Sequence, residues 1–270
     1  MERGLIVVSS PPGSGRTATF DVVLLATDRL LRDFVSIEDA AAPPREIQNI
    51  NPFRFDARTG VTPAQVLADA LREYPRAIVT RDLDPKKPAD RELLAELVRL
   101  AANDMLVILS LRASEAIDAV GQLLAGGIEP KALARVLVGS LSQRLVRKLC
   151  PKCREEVETP AEVLNRLRKP IEELPKIRRA PASGCRLCRG TGHLARTAVF
   201  ELASGGGLRQ GLAAGVDLKK LRDIAVEQGM VRMRDAGLAL VAEGVVGYEE
   251  LQRVFATGTG EKPKPAGKPS

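Results

Sequence analysis

Residues 9–17 read Ser-Ser-Pro-Pro-Gly-Ser-Gly-Arg-Thr and follow the apolar run Leu5-Ile6-Val7-Val8. That order suits a loop that holds phosphate: a buried strand, a glycine turn, then a helix whose backbone N–H groups face the anion. The phosphate-loop pattern is Gly-x-x-x-x-Gly-Lys-Ser/Thr. Gly15 and Thr17 meet it and Gly13 adds a glycine, but Ser10 stands at the first glycine position and Arg16 at the lysine. Arginine keeps the positive charge in a larger planar fork, so the exchange is not conservative. Bound phosphates would meet the backbone amides of Pro12 to Gly15 (Pro12, which has no N–H, only shapes the turn; Gly13, Ser14 and Gly15 donate). Arg16 would lie on the terminal phosphates and Thr17 near Mg²⁺. The plainer alternative is an ordinary strand–turn–helix with Thr17 near the helix start.

All four cysteines fall in two pairs, Cys150-Pro-Lys-Cys153 and Cys185-Arg-Leu-Cys188, with 31 residues between them. Each pair can present two thiolates to one tetrahedral ion, and together they close the ligand set, so the expected role is structural zinc. Two disulfides or four ordinary thiols are the alternatives. A cytoplasmic setting argues against stable disulfides. Lys148, Lys152, Arg154, Arg186 and Arg189 flank the ligands, and nearby cations favour thiolate. The same cations would also suit an acidic partner or anionic lipid headgroups. His193, the only histidine, is expected to be a non-ligand, since four thiolates suffice.

The elements that must carry these groups alternate. Strands are expected at residues 5–9, 34–37, 77–80 and 105–111, and helices at 16–31, 63–73, 88–102 and 115–125; such alternation argues for a parallel sheet. Residues 40–60, with three prolines, read as loop or edge structure. A helix is expected over 130–149, a loop-rich segment over 151–192 and a strand over 196–202. Gly205-Gly206-Gly207 reads as a flexible turn, and helices follow at 217–229, 233–243 and 248–255. The Gly/Pro/Lys-rich residues 257–270 read as a disordered tail.

The chain has 270 residues, 44% hydrophobic and 3% aromatic, so aliphatic side chains must fill its core. No apolar stretch approaches a membrane span and no charged-then-apolar leader is present, which points to a soluble cytoplasmic protein. The net charge is +7, yet residues 141–200 alone carry +8. The basic character therefore belongs to one segment. That segment lacks aromatic interleaving for base stacking, so nucleic acid is not the expected partner.

Three stretches together are distinctive: Gln143-Arg-Leu-Val-Arg-Lys-Leu-Cys150-Pro-Lys-Cys153, Gly184-Cys185-Arg-Leu-Cys188-Arg-Gly-Thr-Gly192, and Arg196-Thr-Ala-Val-Phe-Glu-Leu202. With Glu227-Gln-Gly-Met230, Asp235-Ala-Gly237 and Tyr248-Glu-Glu250, the chain resembles the C-terminal motor domain of the type II secretion and type IV pilus assembly ATPases over about residues 4–256. The resemblance implies a RecA-like P-loop NTPase fold with a central, mostly parallel sheet, then a tetracysteine zinc module and a C-terminal helical region. The corresponding domains are 1–149, 150–192 and 193–256, with the tail at 257–270. It also implies a six-membered ring and a platform protein at the inner membrane, with the motor peripheral on the cytoplasmic face. The family's N-terminal domain, which completes the nucleotide pocket across subunits, is expected to be missing here.

Against that family, the groups whose charge matters for hydrolysis are altered at three of the four nucleotide boxes. The loop carries Arg16 for lysine. The acidic box, usually Thr-Ile-Glu-Asp-Pro, is Ser36-Ile37-Glu38-Asp39-Ala40, so Glu38 and Asp39 survive and would lie near Mg²⁺ as the remaining acids of the catalytic set. The Walker B strand, usually Val-Gly-Glu-Ile-Arg-Asp, is Val79-Thr80-Arg81-Asp82-Leu83-Asp84, so Arg81 replaces the glutamate that polarises water. Strand alternation sends Asp82 to the opposite face unless a one-residue bulge intervenes. The Ser-Thr-Leu-His box is Leu109-Ser110-Leu111-Arg112, and Gln65 and Ala68 stand where arginines are usual, Arg72 being kept. The expectation is a degenerate motor subunit. An active ATPase using Arg16 with Glu38 and Asp39 is the second reading, and a zinc-ribbon nucleic-acid binder the third.

Overall fold

The computed structural model describes residues 3–256. The chain divides into two compact units, one holding residues up to 143 together with 201–230, the other 144–200 together with those from 231 on. The expected tail at 257–270 lies outside the described residues.

The first unit opens with β1 (Gly4–Ser9), α1 (Arg16–Leu25), β2 (Phe34–Asp39) and β3 (Ile50–Phe55). Next come α2 (Pro63–Ala70), β4 (Ala77–Leu83), α3 (Pro88–Ala102), β5 (Leu106–Leu111), α4 (Ala116–Ala125) and α5 (Pro130–Val136). The residues of two long strands, β6 (Leu137–Leu149) and, later, β9 (His193–Ser204), are divided between the two units, and the first unit closes with α7 (Gly206–Ala213) and α8 (Leu218–Glu227). The seven strands form one sheet in the order β3-β2-β4-β5-β1-β6-β9. The pairs β3–β2, β2–β4, β4–β5, β5–β1 and β1–β6 are all parallel.

Period-two alternation gives the sheet two apolar faces. Leu5, Val7, Val35, Ile37, Ile78, Val107 and Leu109 pack with the helices α2 to α5 in one cluster. Val8, Phe34, Ala77, Val79, Leu106 and Ile108 pack with Phe20 and Leu24 of α1 in another. Burial on both faces is why β1 and β5 read as unbroken aliphatic runs. It also puts the carboxyl end of β4, and whichever side chain of residue 81 it carries, beside α1.

The second unit contains β7 (Glu155–Glu158), α6 (Ala161–Leu167), β8 (Lys176–Arg179), α9 (Met233–Ala242) and α10 (Tyr248–Ala256). β7 and β8 form an antiparallel pair, Val157 opposite Ile177. Its core is Val146, Val163, Leu174, Ile177, Val199, Leu238, Val241 and Leu251, with Phe255 at the end. Glu250, on α10, is buried to 1% of its side-chain surface yet bonded to Arg147 at 2.7 Å and Arg253 at 2.7 Å. Burial alone would raise its pKa, but those two guanidiniums and the Arg147 N–H outweigh it and hold the carboxyl down to about 2.

Three expectations fail. The helix over 130–149 stops at Val136, and residues 137–149 are strand β6. Leu, Gln, Arg and Lys there favour a helix locally, but the segment pairs with β1 in parallel register, Ile6 opposite Gly139 and Val8 opposite Leu141, and tertiary pairing overrides propensity. Residues 205–207 are not a flexible turn: Gly206 and Gly207 open α7, and the Gly207 N–H donates to Gln228 Oε1 at 2.9 Å. Helix α1 is also shorter than the expected 16–31, ending at Leu25.

Candidate functional site

The loop after β1 has the geometry its sequence asks for. Gly13 and Gly15 lie at φ 71° and 81°, the left-handed region open to glycine, and Gly15 is the residue that starts α1. No side chain caps that helix start and its first turn carries no acid, so its amides face outward from the turn. Ser10, at the first glycine position, is buried; its backbone carries no positive φ, so the missing glycine costs no strain there. Pro12, Gly13 and Thr17 are exposed and Ser14 is half-buried. Gln143 on β6 ties the loop down. Its Nε2 donates to the Ser14 carbonyl at 2.6 Å, and its Oε1 accepts from the Thr19 hydroxyl. In the sequence Gln143 stands out only as the first residue of a Gln-Arg-Leu run.

Arg16 does not extend into solvent. Its Nη1 donates to the Ser10 carbonyl at 3.2 Å and its Nη2 is paired with Asp82. The alternation argument placed Asp82 on the far face, and the structure corrects it. The β4–β5 register shifts between Thr80 and Leu83, and Asp82 takes φ 56°, a left-handed turn that Asp tolerates better than most residues. The Ser110 hydroxyl accepts from the Asp82 N–H at 3.0 Å and holds that turn. Serine in the fourth box therefore supports the end of β4.

Arg81 follows the alternation. It lies on the α1 side, where Nη2 donates to Asp21 at 2.6 Å and the guanidinium stacks 4.5 Å from the Phe20 ring centroid. Glu38 is also on that side, and the two line one small cleft with Ser36 and Arg45. Glu38 accepts from Ser36 Oγ at 2.6 Å and from Arg54 Nε at 3.3 Å. Asp39 accepts from the Ala41 N–H at 2.9 Å and so closes a turn. Among the described residues, Asp82 and not Glu38 or Asp39 is the acid bonded to the loop. Gln65, at a position where the family carries arginine, completes a capping box with Thr62 at the start of α2.

The four cysteines converge. Their sulfurs lie within 4.8 Å of one another, with Cys150–Cys185 and Cys153–Cys188 at 3.8 Å and Cys185–Cys188 at 3.9 Å. Zn–S bonds of about 2.3 Å in a tetrahedron demand S–S edges of about 3.8 Å, so the donor set fits that ion, whereas a disulfide needs about 2 Å. All four are free thiols. The turn is tight: a Cβ on Gly184 would sit 2.5 Å from the Gly192 amide and 2.6 Å from Cys188 Sγ. The Gly192 N–H donates to Cys188 Sγ at 3.2 Å. Burial works against ionising Cys188, but that amide and the adjacent thiols hold it down to about 6. His193 stands apart, its Nδ1 meeting the Thr191 carbonyl at 2.8 Å.

Fold and site together define an α/β protein with a mostly parallel central sheet, a phosphate-loop-like turn after its first strand and a close four-cysteine cluster. Residues 1–253 match the family described as Type II/IV secretion system protein, and the chain belongs to that family. It is 31% identical over 249 residues to the type IV pilus assembly ATPase PilB of Thermus thermophilus, covering 92% of this chain and 27% of that protein. It is 31% identical over 252 residues to the type II secretion system protein HxcR of Pseudomonas aeruginosa, covering 93% of this chain and 48% of that one. The chain thus spans between a quarter and a half of these relatives. The fold matches the pilus retraction motor PilT with bound ADP, with a TM-score of 0.63 at 18% identity over 94% of this chain and 62% of that one. The Legionella pneumophila ATPase DotB aligns equally, at 0.63 and 12% identity over 95% and 61% of the two chains. Among the described residues, no helix is long and apolar enough to cross a membrane.

Proposed function

We propose that this chain is a degenerate motor-type subunit of a secretion or pilus-assembly system. It keeps a RecA-like P-loop scaffold and a structural zinc held by Cys150, Cys153, Cys185 and Cys188, binds nucleotide weakly and hydrolyses little or no ATP. The observation that carries the reading is Arg81. It occupies the position of the water-polarising glutamate, and its guanidinium is committed to Asp21 and Phe20. An arginine cannot accept a proton at neutral pH. Losing one charge-stabilising group of this kind costs about 10²–10³ in rate, and such groups act as a unit. The zinc would be structural only: four thiolates leave no open position for substrate.

By likeness to relatives named as a pilus assembly ATPase and a type II secretion system protein, the subunit would work in an oligomer, a six-membered ring, against a platform protein at the cytoplasmic face of the inner membrane. A second reading, a working ATPase, draws support from Asp82, the carboxylate that the bulge brings to the loop. Restoring both altered groups tests the first. Arg16→Lys with Arg81→Glu is expected to raise ATP turnover of the zinc-loaded protein at least tenfold; no gain would show that these departures are not what limits hydrolysis.

A further inference from the structure

We propose that Asp82 sets the affinity of the loop for nucleotide by acting as an internal stand-in for phosphate on Arg16. The inference rests on reading the loop as a nucleotide site. Arg16 is the loop's one cationic side chain, its side chain only 13% exposed, and its fork is filled from two sides by the Ser10 carbonyl and the Asp82 carboxylate. A terminal phosphate approaching that guanidinium must displace a group of the same charge and similar geometry, since carboxylate and phosphate both suit the planar fork. Asp82 does not reach Arg16 by chance of rotamer. The register shift in β4, the left-handed backbone at residue 82 and the Ser110 hydroxyl on its N–H together aim it there. Once displaced, the carboxylate would remain beside the bound phosphates and repel them.

Asp82 is 58% exposed, so the pair is partly screened and the effect is bounded. Removing the carboxylate charge is expected to tighten binding by about two- to fivefold. Asp82→Asn is the suitable variant because asparagine also tolerates the left-handed backbone.

The experiment is calorimetric titration of the non-hydrolysable β,γ-imido analogue of ATP, with Mg²⁺, into wild type, Asp82→Asn, Arg16→Gln and the double variant, with melting temperatures as the check on folding. Asp82→Asn should bind more tightly than wild type, and the gain should vanish in the Arg16→Gln background. Equal or weaker binding by Asp82→Asn overturns the proposal, as does a gain that persists without Arg16, or absence of binding in all four proteins. ATP turnover of the wild type is a separate readout: brisk hydrolysis would remove the degenerate-motor reading and leave the affinity comparison intact.

Discussion

Neighbours along β4, Arg81 and Asp82 both end on α1 or the loop before it, and only one of them obeys alternation. Arg81 projects where a period of two sends it, onto Phe20 and Asp21. Asp82 turns back because the strand shifts register, which residue types alone do not reveal: Thr-Arg-Asp-Leu contains no glycine or proline to announce a bulge. Gln143 was legible as part of a motif but not as a clamp, since its partners Ser14 and Thr19 lie far away in sequence. Gln143→Ala is expected to cost about 1–3 kcal/mol, because it leaves a part-buried carbonyl and hydroxyl unpaired, and to speed amide hydrogen exchange at residues 10–16. Unchanged exchange there would show that the loop is held by other contacts. Glu250 offers a pH signature. Its folded pKa of about 2 lies below the ordinary carboxylate range, so its contribution is present above about pH 4.5 and is lost as pH falls toward 2. Glu250→Gln should cost about 1.5–3 kcal/mol at neutral pH, the loss of charge-assisted hydrogen bonds to two half-exposed guanidiniums, and the gap from wild type should narrow in melts taken below pH 4. A gap independent of pH would contradict this account.

At the level of elements, the segments that sequence reading placed well are those whose burial and period agree. β1 and β5 are unbroken aliphatic runs because helices cover both faces, and the cysteine knuckles declare themselves by spacing. β6 was missed because its composition speaks for a helix while its pairing with β1 is non-local. α7 was missed because two glycines open it, and what holds its start is a side chain 21 residues on, Gln228. The glycine that matters most at this scale is Gly184, where a Cβ would meet the Gly192 backbone at 2.5 Å. Backbone cannot step aside as a side-chain tip can. Gly184→Ala should therefore splay the two knuckles and lower bound zinc well below that of wild type, read by metal analysis of the purified protein. Full metal content in that variant would mean the turn has more room than its geometry implies.

Across the molecule, the sheet, the loop and the cysteine cluster are in place, and the proposed degeneracy rests on the charged groups of the nucleotide boxes. Whole-chain features were partly visible in advance: strand–helix alternation implied the parallel sheet, and concentrated positive charge marked residues 141–200. Less visible was that the chain leaves the first unit at residue 144 and returns at 201, because no composition shift marks the return. The metal is expected at about one zinc per chain by mass spectrometry, lost when Cys150→Ser and Cys185→Ser are combined, with a fall in melting temperature. Retention of zinc by that double variant would place the ion elsewhere. The most direct test of the central claim is steady-state release of inorganic phosphate from Mg²⁺·ATP by the zinc-loaded wild-type protein. The account requires a rate at background that Thr17→Ala leaves unchanged; brisk magnesium-dependent release that Thr17→Ala abolishes would contradict it.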